Sequence, residues 1–264
     1  MSSEREIARY LEEATAAARE AGSVQREELY REHDVTLKGA VDLVTEVDRR
    51  CEELIVARLK KAFPDHRFLA EENTYRTGSA PFTWVIDPLD GTTNYAHGFP
   101  WFCVSIGLEH DGQVILGVVY HTMMDELFTA VKGKGAFLNG QSIHVSDKAP
   151  LGGTLLATGF PYDRTRDNEN NFRHFIDFHL ECRGVRRAGA AALDLAYVAA
   201  GRLDGYWECK LKPWDVAAGS LIVAEAGGTV TDYAGHPYSI HDHRILASNG
   251  AIHQEMIEVL KRGE

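Results

Sequence analysis

What this 264-residue sequence has little of narrows it first. It has four cysteines, Cys51, Cys103, Cys182 and Cys209, scattered along the chain with no C-x-x-C pair. That pattern argues against a disulfide framework and reads as reduced thiols, three of them expected in the core. No apolar run approaches the roughly 20 residues of a membrane span. The first residues carry neither a basic leader nor an apolar stretch, so no secretory signal is read and the cytoplasm is the expected compartment. No internal repeat or low-complexity tract appears. Positive charge is also short: 28 Lys and Arg stand against 39 Asp and Glu, a net charge of −11. A general nucleic-acid binder needs a basic face, so that class is set aside. In so acidic a chain a carboxylate-lined pocket would repel a phosphate ester. A phosphate substrate would therefore make metal a requirement.

What is present is enough apolar residue (44%) for a sizeable buried core, and one dense stretch. Trp84-Val85-Ile86-Asp87-Pro88-Leu89-Asp90-Gly91-Thr92-Thr93-Asn94 begins as a β-branched and aromatic strand. Pro88 cannot extend a ladder, so the chain is expected to leave the sheet there, delivering Asp87 and Asp90 to an edge. Gly91 allows a sharp turn or a close approach. Two carboxylates, the Leu89 carbonyl, the Gly91 and Thr92 amides and the Thr92 hydroxyl would then share one small volume. Oxygen donors at that density suit a hard divalent cation, and amides beside it suit phosphate. A lone Asp-Pro-x-Asp-Gly would read as an ordinary turn.

The rest of the chain alternates helices and strands. A first amphipathic helix is expected through Ile7, Leu11, Ala14 and Ala18, ending near Gly22. A strand-like stretch at 35–44 turns at Lys38-Gly39. Thr45-x-x-Asp48 has the capping-box pattern and would start a helix that Pro64 stops. Phe68-Leu69-Ala70 is a short strand running into Glu71-Glu72, a pair that locally reads as solvated. Strands at 101–108, 113–121, 126–131 and 141–144 form an antiparallel meander, with hairpin turns at 132–135 and at Asn139-Gly140. The character changes near 146–153. Beyond it come helices at 168–180, 191–200, 215–226 and 253–261, and strands at 154–158, 185–187, 205–208, 229–231 and 245–248. The expected fold is α/β: an α+β half over 1–148 and an α/β half over 149–264, sharing one layered core. Trp214-Asp215 opens a helix, where Asp215 reads locally as an N-cap.

Taken together, Thr45-x-x-Asp48, Glu71-Glu72, the 87–94 segment and Trp214-Asp215 through Gly227-Gly228 resemble the inositol monophosphatase family, within the wider group of Mg²⁺-dependent, lithium-sensitive sugar phosphatases. The matching segments run from Lys38 to Gly228. The resemblance implies a five-layer αβαβα sandwich, a homodimer and a Mg²⁺-dependent phosphomonoesterase acting on inositol monophosphate or a close relative. It makes Glu71, Asp87, the Leu89 carbonyl, Asp90 and Asp215 metal ligands for two or three ions. Four carboxylates without His or Cys in ligand spacing favour Mg²⁺ or Mn²⁺ over Zn²⁺. It also implies that Thr92, with Asp48 behind it and Glu71 beside it, orients the attacking water. Gly91 and Thr92 would hold phosphate oxygens, while Gly189, Ala190, Ala191 and Glu208, with Asp215, would hold the polyol. Ala190 departs from the hydroxyl-bearing residue usual there. Lys38 matches a lysine that neighbours the metal-site glutamate. Lys210 and Lys212 could touch a second anionic group. Fructose-1,6-bisphosphatase, histidinol-phosphatase and 3′-nucleotidase specialisations therefore stay open, as does a non-catalytic interaction protein. His97, His121 and the exposed-looking His241-Asp242-His243 read as structural or solvated. Arg183, Arg186 and Arg187 read as partners of local carboxylates.

Overall fold

The computed structural model describes residues 4–31, 35–37, 43–73 and 81–262. Lys38 lies outside the described residues. In chain order the elements are α1 (Glu4–Glu28), β1 (Val35–Leu37), β2 (Leu43–Thr45), α2 (Glu46–Ala62), β3 (Arg67–Ala70), β4 (Phe82–Asp90), α3 (Thr92–Ala96), β5 (Cys103–His110), β6 (Gln113–His121), β7 (Glu126–Val131), β8 (Ala136–Leu138) and β9 (Gln141–Ile143). After a 3-10 turn at Leu151–Gly153 follow β10 (Leu155–Thr158), α4 (Phe172–Glu181), β11 (Gly184–Arg186), α5 (Ala191–Ala199), β12 (Gly205–Cys209), α6 (Pro213–Glu225), β13 (Thr229–Thr231), β14 (Arg244–Ser248) and α7 (His253–Arg262).

Strands β3 to β9 lie side by side in sequence order as a seven-stranded sheet, and β11-β10-β12-β14-β13 form a second, five-stranded sheet. Period-2 alternation assigns the faces. Trp84 and Ile86 pack with α1 and α2, while Val85 between them packs with α5 and α6. The second sheet repeats the pattern: Tyr206 faces α5 and α6, while Trp207 faces the cluster that includes Phe178 of α4 and Met256 of α7. The layers therefore run α1/α2, sheet, α5/α6, sheet, α4/α7, an αβαβα sandwich. The middle helices explain their own composition. Nearly every residue of α5 is buried, and α6 is buried from Val216 to Val223. A helix between two sheets must be apolar on all sides, and small Ala and Gly side chains let both sheets approach.

The structure corrects several expectations. Helix α1 does not stop at Gly22 but runs through it to Glu28, because Gly22 is a close-contact position. A Cβ there would stand 2.4 Å from the Tyr120 ring. Helix α4 begins at Phe172 and not at 168. Asn171 sits in the left-handed region (φ 67°) with its side chain buried, donating to Thr158 Oγ1 and the Gly159 carbonyl and accepting from Trp207 Nε1. Those tertiary bonds take the place of a helical turn. Cys51, Cys103 and Cys209 are core residues and Cys182 is half-buried. Burial pushes the thiols of Cys51 and Cys209 up to about 12.

Candidate active site

The chain does not leave the sheet at Pro88. Strand β4 pairs with β5 up to Asp87, slips register, and pairs again at Asp90 opposite Cys103. The slip is a bulge, and proline is tolerated because on its other side β3 ends opposite Ile86. Two bonds hold the bulge. Asp87 Oδ1 accepts from the Leu89 amide at 2.9 Å, and the Pro88 carbonyl accepts from buried Gln25 of α1 at 2.8 Å. Gly91 follows at φ 94°, where a Cβ would meet the Trp101 carbonyl at 2.9 Å, so only glycine fits. The next residue, Thr92, starts α3. Its hydroxyl lies 2.9 Å from Asp48 Oδ1 and 3.0 Å from the Leu89 carbonyl. Asp48 is fully buried on α2.

Asp90 ties the bulge of β4 to α5, 102 residues further along the chain. Its Oδ2 accepts from the Ala192 amide at 2.7 Å, at the start of α5. Ala190, the N-cap residue of that helix, has no side chain able to cap it. The carboxylate from β4 supplies the cap instead. Asp215 is not the N-cap of α6. Pro213 opens that helix, and Asp215 lies two positions further in. Its Oδ2 accepts from the Lys212 amide at 2.7 Å. Glu208 does not mark an exposed strand end. It is 9% exposed, and its Oε2 accepts from the Tyr206 hydroxyl.

These residues surround one cavity of about 450 Å³, which Glu71, Asp87, Leu89, Asp90, Thr92 and Asp215 line on one side. Gly91, Gly189, Ala190, Ala191 and Glu208 line it too, so every proposed metal and substrate residue faces the same space. Asp48 is the exception; it reaches the site through Thr92. The electrostatics are those of crowded anions. Burial first, then Glu71, Asp90 and Asp215, holds the Asp87 carboxyl well above the ordinary carboxylate range. Burial pushes Asp90 up to about 7 against the opposing Ala192 bond, and burial raises Asp215 against its bond from the Lys212 amide. Among the described residues no Lys or Arg pairs with Asp87, Asp90 or Asp215. Nor, among the described residues, do three His, Cys, Asp or Glu side chains stand close enough together to hold an ion as they are. The carboxylates instead line an open cavity, as like charges in a low-dielectric site would. An all-oxygen donor set with uncompensated negative charge fits a hard divalent cation.

The basic residues read from the sequence divide at the cavity, and one buried acid there was not read at all. Arg187 lines the cavity, close enough to Glu208 and Asp194 to influence both carboxyls. Lys210 lines it as well but is committed elsewhere, 2.9 Å from both Asp163 and Asp167. Lys212 is left as the exposed cation of that segment. The residue missed is Asp194, 2% exposed, whose Oδ1 has no hydrogen-bond partner. Only the i, i+3 spacing from Ala191 on α5 could have hinted that it faces the pocket.

Two sheets enclosing a helical layer, with a bulged strand that presents carboxylates to a cavity, define a layered α/β phosphatase. The chain belongs to the inositol monophosphatase family, whose family model matches residues 6–263. It is 48% identical to an inositol-1-monophosphatase of Synechocystis, over 95% of this chain and 88% of the relative. It is 46% identical to a Nus factor SuhB of Pasteurella multocida, over 89% of this chain and 90% of that one. Among solved structures, inositol monophosphatase from Anabaena superposes with a TM-score of 0.89 at 43% identity, covering 97% of both chains. No described helix is long and apolar enough to cross a membrane.

Proposed function

We propose that this chain is a Mg²⁺-dependent, lithium-sensitive phosphatase of inositol monophosphate that works as a cytoplasmic homodimer. The observation carrying this reading is the convergence of Glu71, Asp87, Asp90 and Asp215 on one cavity, where burial disfavours the charged forms of the three aspartates. Glu71, Asp87 and the Leu89 carbonyl would hold one ion, and Asp87, Asp90 and Asp215 another, with two or three ions per site and Mn²⁺ as a substitute. Bound there, the ions supply acidity for the attacking water and neutralise charge on the phosphoryl oxygens.

The chain's own residues do the remaining work. Thr92 has one hydroxyl proton for two nearby acceptors. Donation to the Asp48 carboxylate is the stronger bond. The Thr92 oxygen lone pairs are then turned outward to accept from the water, whose proton Glu71 takes. The Gly91 and Thr92 amides hold phosphate oxygens. Glu208 and Asp215 accept polyol hydroxyls above the backbone of Gly189, Ala190 and Ala191. A sugar bisphosphate is the second reading; the exposed Lys212 and Arg187 at the cavity rim favour a second phosphate. All four carboxylates are in place, which argues against a non-catalytic role. The test is phosphate release from inositol-1-phosphate, fructose-1,6-bisphosphate, histidinol phosphate and adenosine 3′,5′-bisphosphate, with Mg²⁺, with excess EDTA and with added Li⁺. Inositol-1-phosphate is expected to turn over fastest, with nothing released in EDTA. Unchanged turnover in EDTA would refute the metal chemistry, and a preference for another ester would move the substrate assignment.

A further inference from the structure

Helix α2 carries two buried carboxylates one turn apart, Asp48 and Glu52, each 0% exposed. Spacing of four places both on one helix face, about 6 Å apart along the axis. Asp48 serves Thr92. Glu52 reaches in another direction: its Oε2 accepts from the Glu72 amide at 2.7 Å and its Oε1 from Asn73 Nδ2 at 2.9 Å. On the other side of the same segment, the Glu71 amide donates to the Ile86 carbonyl at 3.2 Å, carrying the β3–β4 pairing one residue past the strand. Glu71 is thus gripped on both flanks, by β4 through its own amide and by α2 through its neighbour's. Burying an acid for this purpose is costly. Burial raises the proton affinity of Glu52, and the bonds from Asn73 and Glu72 oppose the rise. An apolar side chain would fill the volume without that cost, but it could not hold two donors.

We propose that Glu52 is a positioning residue for the reaction: α2 is a common brace that sets the Thr92 arm through Asp48 and the Glu71 arm through Glu52. The inference rests on Glu71 being a cation ligand. Removing the outer partners of metal ligands typically weakens metal affinity or activity by about 10–100-fold. Glu52→Gln keeps the shape but leaves one donor facing an amide NH₂; Asn73→Ala removes the milder grip from an exposed position and spares the core. Four proteins are compared, wild type, Glu52→Gln, Asn73→Ala and Glu71→Gln. The readouts are Mg²⁺ affinity by calorimetry, amide exchange at residues 71–73, and turnover. For Glu52→Gln, Mg²⁺ affinity is expected to drop about 10-fold or more, with faster exchange at 71–73. Asn73→Ala should shift both readouts the same way by less. Wild-type Mg²⁺ affinity in both Glu52→Gln and Asn73→Ala, while Glu71→Gln loses it, would overturn the brace and leave the metal reading standing. Unchanged Mg²⁺ affinity in Glu71→Gln would withdraw Glu71 as a ligand and overturn the brace with it.

Discussion

The two walls of the cavity both bury carboxylates, Glu208 being 9% and Asp194 2% exposed on the second, but they differ at the rim. On the wall from the seven-stranded sheet, Asp87, Asp90 and Thr92 are 2%, 9% and 9% exposed, and each is bonded to backbone or to a buried acid. On the wall from the second sheet, Tyr162 is 55% exposed and both Arg187 and Lys212 reach solvent. Phosphoryl transfer needs oxygens held in place before substrate arrives, and the bonds to the Leu89 amide, the Ala192 amide and Asp48 hold those of the first wall. Choosing among phosphate esters needs only side chains that reach the far end of the ligand, and loops provide those.

The sharpest break of that comparison is Asp90→Asn. The amide oxygen can still cap α5 at Ala192, so the fold should survive with its melting temperature little changed. One charge is gone, so turnover should fall by about 10⁴-fold or more, several kcal/mol of charge stabilisation, with the Mg²⁺ requirement shifted upward. Near-normal turnover in a folded Asp90→Asn protein would remove the bulge from the chemistry. Thr92→Ala comes next. It removes the hydroxyl that Asp48 orients, and turnover should fall roughly 10²–10⁴-fold while Mg²⁺ affinity stays near wild type. If stability drops and specific activity in the folded fraction is kept, Thr92 serves only the turn.

A third test crosses the cavity to Glu208, whose carboxyl burial pushes up from 4.5 to about 7. The folded form then holds more protons than the unfolded chain between those values. Its contribution to stability is full below pH 4.5, declines as pH rises to about 7, and is flat above. The span is roughly 3 kcal/mol at most. Urea unfolding of wild type and Glu208→Gln in EDTA, at pH 5 and pH 8, should show the steeper loss in wild type; parallel behaviour would mean that Glu208 stays ionised. The smallest effect is expected from Lys212→Ala at the rim. It should raise KM by no more than about fivefold, the worth of an exposed ion pair, and only for substrates with a second anionic group. An equal rise for inositol-1-phosphate would show that Lys212 touches the scissile phosphate and blur the division between the walls.

Much of this was readable beforehand where the signal is local. Strands β6 and β7 fall where apolar alternation and turn residues put them, and the Asp87–Thr92 stretch announced its acids and its glycine. Gly22 misled because a glycine that ends a helix and one that admits Tyr120 look alike in one dimension. Lys210 misled because its partners, Asp163 and Asp167, lie across a loop.

By itself the sequence determined the alternation of elements, the acidic balance that calls for cations beside a phosphate, and the residues able to bind them. Backbone preference and side-chain periodicity act over a turn or two, so these are written locally. Only the tertiary structure decided that Asp90 caps a helix 102 residues away, that Glu52 holds the Glu72 amide, and that Asn171 delays the start of α4 and binds Trp207. Each is a buried polar group whose hydrogen bonds must be satisfied somewhere. Which donor or acceptor satisfies it depends on which layers pack together, and that is settled by long-range burial.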